Sequence, residues 1–169
     1  GVGLGVLTFE PHPRSVLRPT DEPFRLGDWR SKSRALEALG VDFMAICKFS
    51  AEVAGLSAED FVQSILTEAL GVRHVAVGED FRFGKGRAGD TPFLVDAGHA
   101  HGFGVTSVPA MAGPDGVVFS SSAIRKALRT GDVGHAAELL GRPWEVESVV
   151  AHGDKRGRTI GFPTMNLYL

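Results

Sequence analysis

Short apolar runs rich in Val, Ile and Phe alternate along the chain with stretches whose apolar residues recur at helical spacing. That pattern predicts a parallel sheet flanked by helices, an α/β fold. Val6 to Phe9 forms the first expected strand. Asp28 is placed to cap a helix from Trp29 to Leu39, with Ala35, Leu36 and Leu39 as its apolar face and Gly40 as its stop. Val41 to Phe49 follows as a strand. Ser57-Ala58-Glu59-Asp60 resembles a capping box with Asp in place of the preferred Glu or Gln. Phe61, Ile65, Leu66 and Leu70 supply the buried stripe of the helix it opens, which Gly71 ends. Arg73 to Val77 reads as a third strand, Gly78 to Gly89 as a glycine-rich loop, Thr91 to His101 as a helix and Gly104 to Val108 as a fourth strand.

The 169 residues suit one full domain and a fragment of a second. A net charge of -2 with mixed signs provides no bulk field for nucleic acid or an anionic membrane, so neither is expected as a partner. Any anion has to be met by a local arrangement, which favours small-molecule substrates. The single cysteine, Cys47, excludes an internal disulfide and a thiolate zinc cluster and fits a reducing cytoplasm. No apolar run reaches the roughly 18 residues of a membrane helix, and Gly1 to Phe9 lacks the basic flank and length of a signal peptide. A soluble, cytoplasmic protein is expected. The oligomeric state stays open, a homo-oligomer included.

In open α/β sheets ligands sit at the carboxyl ends of strands, where loops and helix N-termini present free N–H groups. Ser120, Ser121 and Ser122 precede the helical pattern of Ile124, Ala127 and Leu128, and Arg125 can project onto the same anion. This arrangement suits a triphosphate, and it equally suits an ordinary serine cap beside a solvated arginine. After the third strand, Gly78 allows a close turn, Asp80 can accept hydrogen bonds, and Phe81 or Phe83 can either pack on a ligand ring or fill the core. Lys85 and Arg87 lie just beyond. Two prolines fix His12 in Glu10-Pro11-His12-Pro13-Arg14, as a rigid ligand wall or as a hydrogen-bonded structural histidine in an extended loop. Trp144 after Pro143 is suited to stacking on a ring or to anchoring by packing. His99 and His101 stand two apart and point to different sides of their helix. Near the end, Gly153, Gly157 and Gly161 recur every fourth residue and lead into Phe162-Pro163-Thr164-Met165-Asn166. Such glycines let backbone approach a phosphate, and the Thr and Asn can hold a metal and an oxygen. A glycine-rich hairpin joining Val146 to Ala151 with Thr164 to Leu169 is the plainer alternative.

Taken in order, these strings resemble the bacterial bifunctional FAD synthetases. Val77 to Gly84 and Phe119 to Arg125 look like two motifs of that family's FMN adenylyltransferase module, and Gly153 to Asn166 is similar to the start of its riboflavin kinase module. The resemblance implies a Rossmann-like nucleotidyltransferase domain over residues 1–142, followed over 143–169 by the beginning of a small riboflavin-kinase β-barrel. It implies two reactions assisted by Mg2+: transfer of the ATP γ-phosphoryl to riboflavin, giving FMN, and attack of FMN phosphate on ATP, giving FAD and pyrophosphate. Ser121, Ser122 and Arg125 take the catalytic and ATP-phosphate roles, joined at the nucleotide by Gly78 and Asp80. Pro11, His12, Pro13, Asp80 and Phe81 fall on the flavin side. Gly153, Gly157, Gly161, Pro163, Thr164 and Asn166 fall to the kinase nucleotide, with Thr164 and Asn166 as metal ligands. Ser122 stands where the family more often has Thr, and Met165 where it usually has Ala.

The chain does not contain the family's early Gly-x-x-Asp-Gly-x-His-x-Gly-His segment and starts at what resembles the second strand, and the kinase motif stops at Leu169. Neither site is complete as the chain stands, and truncation and omission of residues both remain open. Two further readings compete: a nucleotidyltransferase of the same architecture acting on another phosphate, such as a phosphopantetheine or phosphoalcohol, and a non-catalytic flavin or nucleotide-binding module.

Overall fold

The computed structural model describes residues 2–19, 24–151, 161–162 and 166–167, the last pair in their backbone. Two parallel strand pairs form its framework. Strand β1 (Gly5–Glu10) pairs with β2 (Phe43–Lys48) from Gly5↔Phe43 to Glu10↔Lys48, and β3 (His74–Gly78) pairs with β4 (Gly104–Val108) from His74↔Gly104 to Gly78↔Val108. Parallel neighbours need crossover connections. Helices α1 (Pro13–Leu17) and α2 (Trp29–Ala38) lie in the chain between the first pair, and α5 (Thr91–His101) between the second. The expected α/β class is therefore borne out, and α5 and β4 have the bounds read from the sequence.

Local chemistry explains where the helices begin. Asp28 Oδ1 accepts the Ser31 N–H at 2.8 Å and starts α2. That hydrogen bond holds the Asp28 carboxyl below the usual carboxylate range. The helix stops one residue earlier than expected. Leu39 is its C-cap and is 78% exposed, so it does not complete an apolar face; Ser31 is the residue α2 buries. Helices α3 (Ala51–Gly55) and α4 (Ala58–Phe61) follow β2. Ser57 caps α4 by accepting the Asp60 N–H at 3.0 Å, and its hydroxyl donates to Asp60 Oδ2 at 2.8 Å. The aspartate thus closes the box through the Ser57 side chain, as befits a residue one methylene shorter than Glu.

Helix α4 runs on into a π-helical stretch, Val62–Ala69. The buried residues along this stretch are Phe61, Val62 and Leu66, while Ile65 and Leu70 pack at the margin of the core. Val62, outside the expected stripe, is fully buried one turn before Leu66.

The chain divides by contacts into two units, Gly5–Pro23 with Phe43–Phe119, and Gly1–Leu4 with Phe24–Asp42 and Ser120–Leu169. The first contains both parallel pairs and a core of Phe61, Val62, Leu66, Phe83, Leu94 and Phe103, onto which β1, β3 and β4 pack. The second contains α2, α6 (Ser121–Arg129) and α7 (Val133–Leu140), whose Ile124, Ala127 and Ala136 are buried with Leu26 against them. It also holds a short antiparallel pair, β5 (Val150–Ala151) with β6 (Asn166–Leu167). Among the described residues no helix is long and apolar enough to cross a membrane.

Gly84 combines a left-handed backbone with a close approach to neighbouring backbone. Its φ is +72°, and a Cβ there would stand 2.8 Å from Ala58 N and 2.9 Å from Ala58 Cα. Gly86 also has a positive φ, +65°, with open space around it. Gly84→Ala is expected to lose roughly 2–4 kcal/mol, from backbone strain plus a clash with backbone, and Gly86→Ala only about 1 kcal/mol. Urea unfolding midpoints of the two variants check the difference; equal midpoints would remove the close approach.

Candidate functional site

Strand β3 ends at Gly78 in a turn closed by the Phe81 N–H donating to Gly78 O at 3.0 Å. Asp80 is exposed there, and its Oδ1 lies 3.1 Å from where a Cβ on Gly78 would stand, so a side chain at 78 would crowd the carboxylate. Thr91 Oγ1 donates to Gly78 O at 3.4 Å, tying the strand end to the first residue of α5. Phe81 stacks on Phe83 with centroids 5.4 Å apart and is half-buried. Phe83 itself is core, against Phe61 at 5.4 Å and Phe93 at 5.9 Å. Of the two rings, Phe83 is thereby committed to packing. Lys85 and Arg87 are exposed on a 3-10 turn, and Arg82 meets Asp90 at 3.9 Å in a solvated pair of little energetic weight.

In the same unit β1 leads into Glu10-Pro11, a cis peptide, and then into α1. His12 keeps an extended backbone, but Pro13 occupies the first turn of the helix, and the stretch is not the extended loop expected from its two prolines. Proline has no N–H to lose there and its fixed φ suits helix initiation. His12 is the N-cap: its Nδ1 accepts the Arg14 N–H at 3.1 Å, which puts the neutral ring's proton on Nε2. The structural role left open for His12 is thus present. Cys47 Sγ on β2 lies 3.9 Å from Lys48 O, and burial pushes its thiol up, away from nucleophilic use.

The serine motif belongs to the other unit. Ser120 is the N-cap of α6, its Oγ accepting the Ala123 N–H at 3.2 Å. Ser121 and Ser122 are the first two helical residues, and both face solvent. Two hydroxyls and the positive end of a nine-residue helix are therefore presented together. Arg125 is not a solvated arginine. It is half-buried, its Nε donates to Phe24 O, and its guanidinium carbon lies 5.9 Å from the Phe24 ring centroid. Trp144 Nε1 donates to Leu26 O at 2.8 Å, and Arg34 meets Glu147 at 2.6 Å. The anchoring role of Trp144 is the one the structure contains.

Of the kinase motif, Gly161 sits in a turn and Asn166 in the backbone of β6 opposite Ala151; Gly153, Gly157, Pro163 and Thr164 lie outside the described residues. The short β5–β6 pair has the antiparallel sense of the hairpin alternative. Among the described residues no group of three or more His, Cys, Asp or Glu could hold a metal. Sequence reasoning missed the Phe24 and Leu26 carbonyls that receive Arg125 and Trp144, and no local signal marks a backbone acceptor so distant in the chain.

The family model for FAD synthetase matches residues 1–123 and that for riboflavin kinase residues 140–169. Proteins named bifunctional riboflavin kinase/FMN adenylyltransferase are similar to the chain. The one from Escherichia coli K12 is 42% identical across 97% of the chain and 52% of its own length. Those from Pseudomonas fluorescens and Bacillus subtilis are each 41% identical across 100% of the chain, covering 54% and 53% of their lengths. The chain spans about half the length of these curated relatives. A crystal structure described as a macrolide-efflux protein from Streptococcus pneumoniae superposes with a TM-score of 0.79 at 30% identity, covering 99% of this chain and 54% of that one.

The cap that exposes Ser121 and Ser122 is open to a direct check. Ser120→Ala removes the bond to the Ala123 N–H and is expected to cost about 1 kcal/mol, whereas Ser120→Asp retains an acceptor and is expected to remain near the parent. Denaturant titration of both variants reads the effect.

Proposed function

The chain belongs to the FAD synthetase family, and from that membership we propose that it acts in FAD formation, adenylylating FMN with ATP and, through its riboflavin-kinase part, phosphorylating riboflavin to FMN. The observation that carries the reading is the start of α6, where Ser121 and Ser122 present hydroxyls at a positive helix end, with Arg125 in the following turn. In the adenylyl transfer an FMN phosphate oxygen attacks the α-phosphorus of ATP, and the bond to the bridging oxygen breaks as pyrophosphate leaves. Little covalent help is needed; alignment and neutralisation of charge are. Ser121, Ser122 and the α6 amides hold the triphosphate, and Arg125 adds positive charge while Phe24 fixes its side chain. Gly78 and Asp80 serve the nucleotide. Pro11, His12, Pro13, Asp80 and Phe81 serve the flavin, with His12 orienting rather than exchanging protons.

The kinase step moves the ATP γ-phosphoryl to a ribityl hydroxyl of riboflavin, which gives up its proton. Gly153, Gly157, Gly161 and Pro163 would shape its nucleotide site. Mg2+ would balance ATP charge in both reactions, with Thr164 and Asn166 as its kinase-side ligands. We place the boundary between the two modules at residue 142, after the match that ends at 123 and two residues inside the match that begins at 140. A cytoplasmic location accords with ATP, FMN and riboflavin as substrates.

Chromatography after incubation with FMN, ATP and Mg2+, and with riboflavin in a parallel sample, tests the reading. FAD from FMN is the expected product. Arg125→Gln is expected to lower kcat/KM for ATP on the order of 10²-fold, with thermal unfolding measured alongside to separate lost packing on Phe24. An unchanged rate removes Arg125 from the site, and absence of FAD with FMN still bound leaves a binding module.

A further inference from the structure

The loops after β3 and β4 leave adjacent parallel strands at their carboxyl ends, and one side chain joins them. Glu79 Oε1 accepts the Ala110 N–H at 3.1 Å, while the Glu79 N–H donates to Val108 O at 2.9 Å. Glu79 therefore extends the β3–β4 pairing past its last ladder pair, Gly78↔Val108, by a side chain in place of backbone. Ala110 is the residue from which a small hairpin rises. Phe119 N–H donates to Met111 O at 2.9 Å, Ala112 bridges Val118, and a turn at its tip is closed by the Gly116 N–H donating to Gly113 O at 2.9 Å. Asp115 Oδ1 accepts the Val117 N–H at 3.0 Å and stiffens that tip. The hairpin is thus internally bonded, and its base is joined to the β3 loop through Glu79.

We propose that Glu79 is a positioning residue that fixes the 111–119 hairpin to the loop bearing Asp80 and Phe81, so that this loop receives its ligand with a settled neighbour. A carboxylate accepting a backbone N–H makes a charge-assisted bond. Without it the Ala110 amide turns to water, and the hairpin base gains freedom that ligand binding must remove again. The ligand, a flavin phosphate, rests on the proposed function; the link between the loops does not. Hairpin residues Met111 and Phe119 are 67% and 46% exposed, which leaves apolar side chains beside a ligand loop for the link to control.

Amide hydrogen exchange and FMN fluorescence titration on the full chain, in the parent, Glu79→Ala and Glu79→Gln, test the inference. Glu79→Ala is expected to speed Ala110 exchange and to raise the FMN dissociation constant roughly fivefold to tenfold, the effect of one partly solvated charge-assisted hydrogen bond. Its urea midpoint is expected to stay near the parent's. Glu79→Gln retains a carbonyl acceptor and is expected to restore both readouts. Unchanged Ala110 exchange in Glu79→Ala overturns the proposal, and so does faster exchange with unaltered FMN affinity. A parent chain that binds no FMN sinks the flavin reading alone; the Ala110 exchange comparison then decides whether Glu79 holds the hairpin.

Discussion

The burial of Phe83 is the interaction on which the Gly78 to Gly89 loop of the first unit depends. The stretch from Gly78 to Gly89 is rich in glycine and charge, and such a segment has little apolar area to offset the entropy of being ordered. One ring supplies it. Phe83 packs between Phe61, Phe81 and Phe93, and full burial of such a side chain contributes about 1.5–3 kcal/mol. Gly84 then passes close against the Ala58 backbone, and the Lys85 N–H donates to Leu56 O at 2.7 Å. With its middle held in the core, the loop presents Asp80 to solvent on one side and leaves Phe81 half-covered on the other.

The second unit reaches a comparable result by backbone capture. The segment Phe24 to Leu26 offers one carbonyl to Arg125 and another to Trp144, and buries Phe24 while Leu26 packs on Ile124, Ala127 and Ala136. The arginine after the serine-rich helix start is therefore positioned before any ligand arrives. A guanidinium restrained in this way loses less entropy on meeting a phosphate than a free one would. Trp144, four residues into the riboflavin-kinase match, fastens that part of the chain to the same short segment.

Much of the fold could be read from the chain because its determinants are local. The caps at Asp28, Ser57 and Ser120 are all in place, and the alternation of apolar runs with helical patterns located the four strands that form the two parallel pairs. The motif strings led to the family that the sequence comparison shows. Other features depend on partners far away in the chain or on a departure from standard geometry. Val62 is buried beside Phe61 and Leu66 in a π-helical stretch whose geometry the residue pattern does not signal. Leu39 follows the apolar period yet falls past the end of α2. Pro13 after His12 is itself a helix-start signal, and here it outweighs the extended conformation that two neighbouring prolines also allow. Glu79 carries no local signal of its role, because its partner, the Ala110 amide, has no side-chain signature.

The central claim is that the two loop motifs are prepared ligand sites, one for the flavin and one for the nucleotide phosphates. Amide chemical-shift mapping of the isotope-labelled chain, titrated separately with FMN and with ATP, tests it most directly. The account predicts shifts for FMN at His12, Asp80 and Phe81, and for ATP at Ser121, Ser122 and Arg125. Shifts confined to other parts of the chain, or none with either ligand, would contradict it.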